Sequence, residues 1–164
     1  MINKTMRLPI TIAALSCLAS LLSSTEIVSL DNRATHLETR LSSPSTLVVK
    51  VSNPAELSEA QRLLTLAFSY DQPCLILVVL PNDRAEALYI QQAANRFFRS
   101  DFSLSSTYFL TAENDPFPRA KTLLLSPGQS RPLYQSAYYP SELPNSKGSS
   151  GRWAPRRPKS SDSQ

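Results

Sequence analysis

Glycine is scarce in this chain. Gly128, Gly148 and Gly151 are the only three, and all lie late. Phosphate-cradling loops need glycines in a strand–turn–helix unit, so neither a GxGxxG fingerprint nor a P-loop can be built here. Histidine is scarcer still, with His36 alone. A triad base, a zinc site or a phosphorelay needs its histidine beside a nucleophile or further ligands. Nothing near His36 supplies them, and it reads as a surface residue. Cysteine is limited to Cys17 and Cys74. If Cys17 is removed with a leader or carries lipid, Cys74 has no internal disulfide partner and the fold must be held by its core. Cys74 opens an apolar run, where a thiol acts as a small buried hydrophobe.

Carboxylates are the remaining route to hydrolytic chemistry, and each has a structural reading. Glu56 and Glu59 are expected on the exposed side of a helix, with Glu56 acting as a cap. Asp83 and Glu86 sit where a helix begins, and negative charge there favours the helix dipole. Glu113 and Asp115 flank a turn. No catalytic, cofactor-binding or metal-ligating set emerges, and the expectation is a protein that is not an enzyme and carries no cofactor.

The formal net charge is +4, but the two ends carry it. Lys4 and Arg7 stand near the start. Lys147, Arg152, Arg156, Arg157 and Lys159 stand near the end against Asp162 alone. Between them, residues 25–144 hold 10 basic and 12 acidic side chains. A near-neutral body without a basic stripe argues against a nucleic-acid partner.

The first residues form three zones. Residues 1–7 hold two cations and no acid, residues 8–22 are apolar apart from small hydroxyl side chains, and residues 23–25 are small and polar. That is the pattern of a secretory signal, whose apolar core runs ~7–15 residues, and it falls short of the ~20 of a membrane span. Cleavage after Ala19 would place Cys17 and Ala19 where a signal peptidase reads. A second reading is lipidation at Cys17, preceded by Ala14-Leu15-Ser16, although a bacterial lipobox has its leucine three residues before the cysteine. An uncleaved anchor is the third. A buried helix would need a polar face that residues 8–22 lack. Residues 1–24 are thus expected to be a signal peptide or lipoprotein leader, and the protein to be exported, periplasmic or anchored at the outer membrane.

In residues 25–45, Ile27, Leu30, Ala34, Leu37 and Leu41 recur at helical spacing, which fits a short helix or a docked extended arm. Ser42-Ser43-Pro44-Ser45 ends it. Residues 46–52, with Leu47, Val48, Val49 and Val51, read as a strand. Asn53-Pro54-Ala55-Glu56 is a helix start, with cap, first-turn proline and acid in order. Leu57, Ala60, Leu63, Leu64, Ala67 and Phe68 then form one apolar stripe. Residues 74–80 are unbroken apolar sequence, as in a strand covered on both faces. A second helix follows Pro81-Asn82-Asp83, with a buried stripe of Ala87, Ile90, Ala94, Phe97 and Phe98. Residues 105–112 and 120–125 read as strands, Pro127-Gly128-Gln129-Ser130 as a hairpin loop, and residues 132–139 as a weaker edge strand. The order predicts an α/β (α+β) two-layer sandwich over residues 46–143, β-α-β-α-β-β, with a small sheet and two helices. Residues 144–164 surround Trp153 with Ser, Gly, Pro, Lys and Arg, and such a basic tail is expected to be disordered.

Two features could bind a partner. Tyr134, Tyr138, Tyr139 and Leu143, with Pro140 among them, either pack as an ordinary edge or present one for strand addition. Arg152-Trp153-Ala154-Pro155-Arg156-Arg157 is either a solvated tail or a contact for an anionic membrane or wall polymer.

Taken in order, Asp31, Arg33 and His36, the Pro-Ser break, the strand at residues 46–51, Leu57-Ser58-Glu59-Ala60-Gln61-Arg62, the apolar run at residues 74–80 and a helix before late strands resemble the CpaD family. Those are lipoproteins of the tight-adherence (Flp/Tad) pilus machinery. The family's proline after histidine is Leu37 here. Its later cysteine pair and extended C-terminal region are absent, and Ala137-Tyr138-Tyr139-Pro140-Ser141-Glu142-Leu143 stands where one such segment begins. The resemblance spans about residues 31–143. It implies a cell-envelope accessory of pilus or secretion-system assembly that works by protein docking, with envelope or pilus-assembly proteins as partners and the membrane reached through lipid on Cys17. The β-α-β-α-β order is also similar to OmpA-like peptidoglycan-binding domains. That alternative implies a periplasmic glycan-binding module, although Pro81-Asn82-Asp83-Arg84 is short for that family's binding loop.

Overall fold

A computed structural model of the chain describes residues 22, 24–98, 106–129 and 131–144. Residues 1–21 and 23 of the expected leader, Cys17 among them, and residues 145–164 of the expected basic tail, Trp153 among them, lie outside the described residues.

Among the described residues, seven strands form one sheet. They are β1 (Glu26–Ser29), β2 (Ala34–His36), β3 (Thr46–Val51), β4 (Cys74–Leu80), β5 (Thr107–Thr111), β6 (Thr122–Leu125) and β7 (Tyr134–Ser136). Two helices, α1 (Leu57–Ser69) and α2 (Arg84–Phe98), follow β3 and β4. Across the sheet the order is β2-β1-β5-β4-β3-β6-β7. The three central strands are parallel, and every other pairing is antiparallel. The fold is a mixed α/β sandwich, as the element order predicts.

The local chemistry explains the boundaries. Asn53 accepts a hydrogen bond from the Ala55 N–H at 3.0 Å, and Pro54 opens the 3-10 turn that leads into α1. A backbone bond from the Gln72 N–H to the Ala67 carbonyl closes α1, with Asp71 in the left-handed region at φ 53°. Asp83 caps α2 by accepting from the Glu86 N–H at 2.8 Å. Gly128, at φ 72°, makes the turn between β6 and β7, where an L side chain would be strained.

Both helices lie on one face. Two β-α-β crossovers stepping the same way across a sheet leave their helices on the same side. There Leu57, Leu63, Leu64, Ile90, Ala94 and Phe98 pack on Val49, Val51, Ile76 and Val78. The opposite face carries Val48, Leu75, Leu77, Tyr108 and Leu123, and is covered by Leu22, Leu37, Leu41 and Phe117. Since β4 is central and buried on both sides, it can be apolar at every position.

Residues 25–45 do not form a helix. The segment docks extended, as the β1–β2 hairpin and a 3-10 turn (Leu37–Arg40), and the sheet runs on across the expected boundary at residue 45. Ile27, Leu37 and Leu41 do point inward, but strand and turn geometry places them there. Three strands are shorter than their apolar runs: residues 105–112 give β5, 120–125 give β6 and 132–139 give β7. Two expected core residues face solvent. Phe68 is 68% exposed at the end of α1 and Phe97 40% exposed near the end of α2. Their neighbours Ala67 and Phe98 are still buried in the core, so each phenylalanine stands at the flank of its stripe, turned away from the contact that the adjacent residue makes.

Candidate docking site at the β7 edge

The four sequence-predicted residues separate into two roles. Tyr134 pairs with Leu124 and packs against the helix-face core. Leu143 is buried in that same core. Tyr139 is half-buried, and its hydroxyl donates to the Lys50 carbonyl at 2.6 Å. Tyr138 alone turns outward, 79% exposed. For Tyr134, Tyr139 and Leu143 the structure therefore favours the packing role.

What surrounds Tyr138 is a set of clamps on its backbone. Its N–H donates to the Ser136 hydroxyl at 3.1 Å, and its carbonyl accepts from the hydroxyl of buried Thr122 at 3.1 Å. Arg62 of α1 donates to the Pro140 carbonyl at 2.7 Å and to the Ser141 carbonyl at 3.3 Å. The Lys121 ammonium sits over the Tyr139 ring, 5.4 Å from its centroid. An aromatic side chain on a backbone already fixed loses little entropy on binding. Beside it, β7 pairs with β6 alone among the described strands, so its outer edge is open. A cavity of about 360 Å³ lies on the β6 side of β7, between Phe117, Pro118 and Arg119 of the segment that leads into β6 and Gln135, Ser136 and Ala137.

Sequence reasoning missed a charged cluster at the carboxyl ends of the parallel strands. Lys50 is 3% exposed, and its ammonium pairs with Asp115 Oδ2 at 2.6 Å and donates to the Phe117 carbonyl. The Phe117 N–H returns a bond to Asp115 Oδ1 at 3.0 Å. Burial lowers the Lys50 ammonium from its ordinary value, with the Asp115 carboxylate opposing the shift. Glu56, expected on an exposed helix face, is instead buried. It pairs with Lys121 and accepts from the Ser52 N–H at 2.8 Å. Burial alone would raise its carboxyl, but Lys121 and the Ser52 N–H outweigh it and hold the group below the usual range. The visible signal was a lysine inside the apolar strand Leu47-Val48-Val49-Lys50-Val51, since a lysine there requires a partner.

A cavity of about 290 Å³ opens onto this cluster, lined by Lys50, Ser52, Asp115, Arg119 and Lys121. Open α/β sheets hold ligands at such strand ends. Here, however, the Lys50 ammonium is held by a carboxylate and a carbonyl, and Glu56 by an ammonium and an N–H. These bonds staple the loop after β5 onto β3, and the start of β6 onto the 3-10 turn that leads into α1. Among the described residues, no group of three or more His, Cys, Asp or Glu side chains is placed to hold a metal ion. No helix among them is long and apolar enough to cross a membrane. His36 is exposed, and burial pushes the Cys74 thiol up to about 12.

The described residues thus define a two-layer α/β domain with a rigidly held aromatic at one sheet edge. No protein-family model matches the chain. No curated protein sequence matches it. Among solved structures it is similar to one from Aquifex aeolicus VF5, named as a candidate electron transfer protein, with 9% identity and a TM-score of 0.47. A second Aquifex aeolicus VF5 structure, named as a candidate electron transport protein, gives 9% and 0.46. Each covers 72% of this chain and 85% of its own. Likenesses at this level carry no functional argument.

Proposed function

We propose that the chain is a non-enzymatic accessory of the cell envelope that serves pilus or secretion-system assembly by docking to a protein partner at the β7 edge. The observation that carries the docking half is Tyr138, whose side chain is 79% exposed on a backbone clamped by Ser136, Thr122 and Arg62. Binding energy concentrates in a few aromatic anchors that are already in position. The open edge of β7 adds a row of backbone groups that an extended partner segment can pair with. The envelope half rests on the three-zone leader and on the resemblance of residues 31–143 to the CpaD lipoproteins. The lipid on Cys17 that this resemblance implies would hold the domain at the membrane.

The test is a photo-crosslinking amino acid at position 138, activated in the native envelope. We expect a covalent adduct to an envelope assembly protein, and a Tyr138→Ala variant that binds that partner about 30-fold more weakly, the loss of roughly 2 kcal/mol typical of an aromatic anchor. Crosslinks from position 138 to peptidoglycan alone, with co-sedimentation on purified wall, would replace the docking reading by the glycan-binding one. No adduct at all would remove Tyr138 from the account.

A further inference from the structure

A second surface lies on α2, away from β7. Ile90, Ala94 and Phe98 face the sheet. About a third of a turn round the helix runs another stripe, Glu86, Tyr89, Ala93 and Arg96. Its spacing of three, four and three residues is that of a coiled-coil seam. Tyr89 is 64% exposed, and Phe97 flanks the stripe at 40%. The stripe borders a groove of about 560 Å³ shared with Leu57 of α1. Neither Glu86 nor Arg96 makes an ion pair among the described residues.

We propose that this stripe is the contact for a second copy of the same chain, formed by two α2 helices packing antiparallel about a two-fold axis. Two-fold symmetry sets residues equidistant from the axis against each other. With the axis at the level of Gln91, Glu86 of one copy meets Arg96 of the other, and the reverse at the far end. In the same register Tyr89 meets Ala93, a large side chain against a small one, twice. One register therefore satisfies both charges and both apolar pairs. A parallel arrangement in register would set Glu86 against Glu86 and Arg96 against Arg96, which repels at both ends. The occupant is thus chosen by complementarity: the stripe fits its own reverse.

The experiment is sedimentation velocity on the full chain and three variants, each checked for native circular dichroism. We expect the wild type to run as a dimer of the 18.2 kDa chain. Glu86→Arg and Arg96→Glu should each weaken self-association at least ~10-fold, because like charges then face each other. The double variant Glu86→Arg/Arg96→Glu should return to within ~3-fold of wild type, since the pairs reform with signs exchanged. A wild type that stays monomeric at high micromolar concentration overturns the proposal, whatever other protein binds the stripe. So does a double variant as weak as the singles. Tyr138→Ala should leave the dimer unchanged, which separates this result from the fate of the β7 reading.

Discussion

Asp115→Asn is the substitution on which the account of the charged cluster stands. It keeps the shape of the side chain and removes one charge, leaving the Lys50 ammonium against a neutral amide and the Phe117 carbonyl. In the ion pair the two side chains are 4% and 5% exposed. Removing one partner of such a pair costs about 3–5 kcal/mol, because the other charge stays out of water. The cavity of about 290 Å³ beside the pair gives Lys50 a route toward solvent, which favours the lower end. We expect about 3 kcal/mol, a large part of the ~5–15 kcal/mol that holds an ordinary domain. Lys50→Met should cost a similar amount by stranding the Asp115 carboxylate. Lys50→Met/Asp115→Asn should cost at least ~2 kcal/mol less than the sum of the singles, since no lone charge is left. Urea unfolding followed by far-UV circular dichroism gives all four values. Singles that each cost under ~1 kcal/mol, with a coupling near zero, would show that the pair is solvated and that the staple does not exist.

Glu56 gives a pH dependence of definite sign. Its folded carboxyl lies below the ordinary 4.5, so its contribution is present above that value and is lost as pH falls through the lowered folded value. Glu56→Gln should therefore flatten the acid limb of a stability profile as pH falls from about 4.5 toward the lowered folded value, and an unchanged slope there would refute the Lys121 pairing. Cys74 should resist thiol reagents. With its value raised to about 12 its thiolate is rare at pH 8, and labelling in a Cys17→Ser background should run at least ~100-fold slower than in denaturant. Rapid labelling of the native protein would place the sulfur in solvent.

The β-α-β-α-β-β core was legible because each signal was local and agreed with its neighbours. The cap at Asn53, the stripe of α1 and the seven-residue apolar run of β4 all specify the same arrangement without reference to distant residues. The hairpin at Glu26–His36 was not legible. Ile27, Leu30, Ala34 and Leu37 fit a helical period, and their pairing is decided by β5, about eighty residues away. The exposure of Phe68 and Phe97 was hidden for a related reason, since periodicity shows which side of a helix is apolar but not how wide a strip of that side the core covers, and Ala67 and Phe98 beside them are buried. The docking candidates were found as a group and sorted only by structure. Tyr138 and Tyr139 are adjacent, and which one points outward depends on the bond from Tyr139 to Lys50. The charged cluster joins residues 65 positions apart in both of its ion pairs. No reading by spacing connects such positions.

Arg62 separates the two jobs this structure does, being stable and presenting a surface. Its pairing with Glu59 is on the helix surface, 41% and 48% exposed, and such pairs add little to stability. Its bonds to the Pro140 and Ser141 carbonyls tie the segment after Tyr138 to α1. Arg62→Ala should therefore move the unfolding midpoint by less than ~1 kcal/mol, while the freed segment must be ordered again each time a partner binds. At about 0.5–1.5 kcal/mol for each group immobilised, partner affinity should fall roughly 3- to 10-fold. Hydrogen exchange at Tyr138 should rise in the same variant while exchange in β3 and β4 stays slow. An Arg62→Ala protein that unfolds earlier, yet binds the position-138 partner as tightly as wild type once folded, would show that α1 braces the core and that Tyr138 needs no clamp.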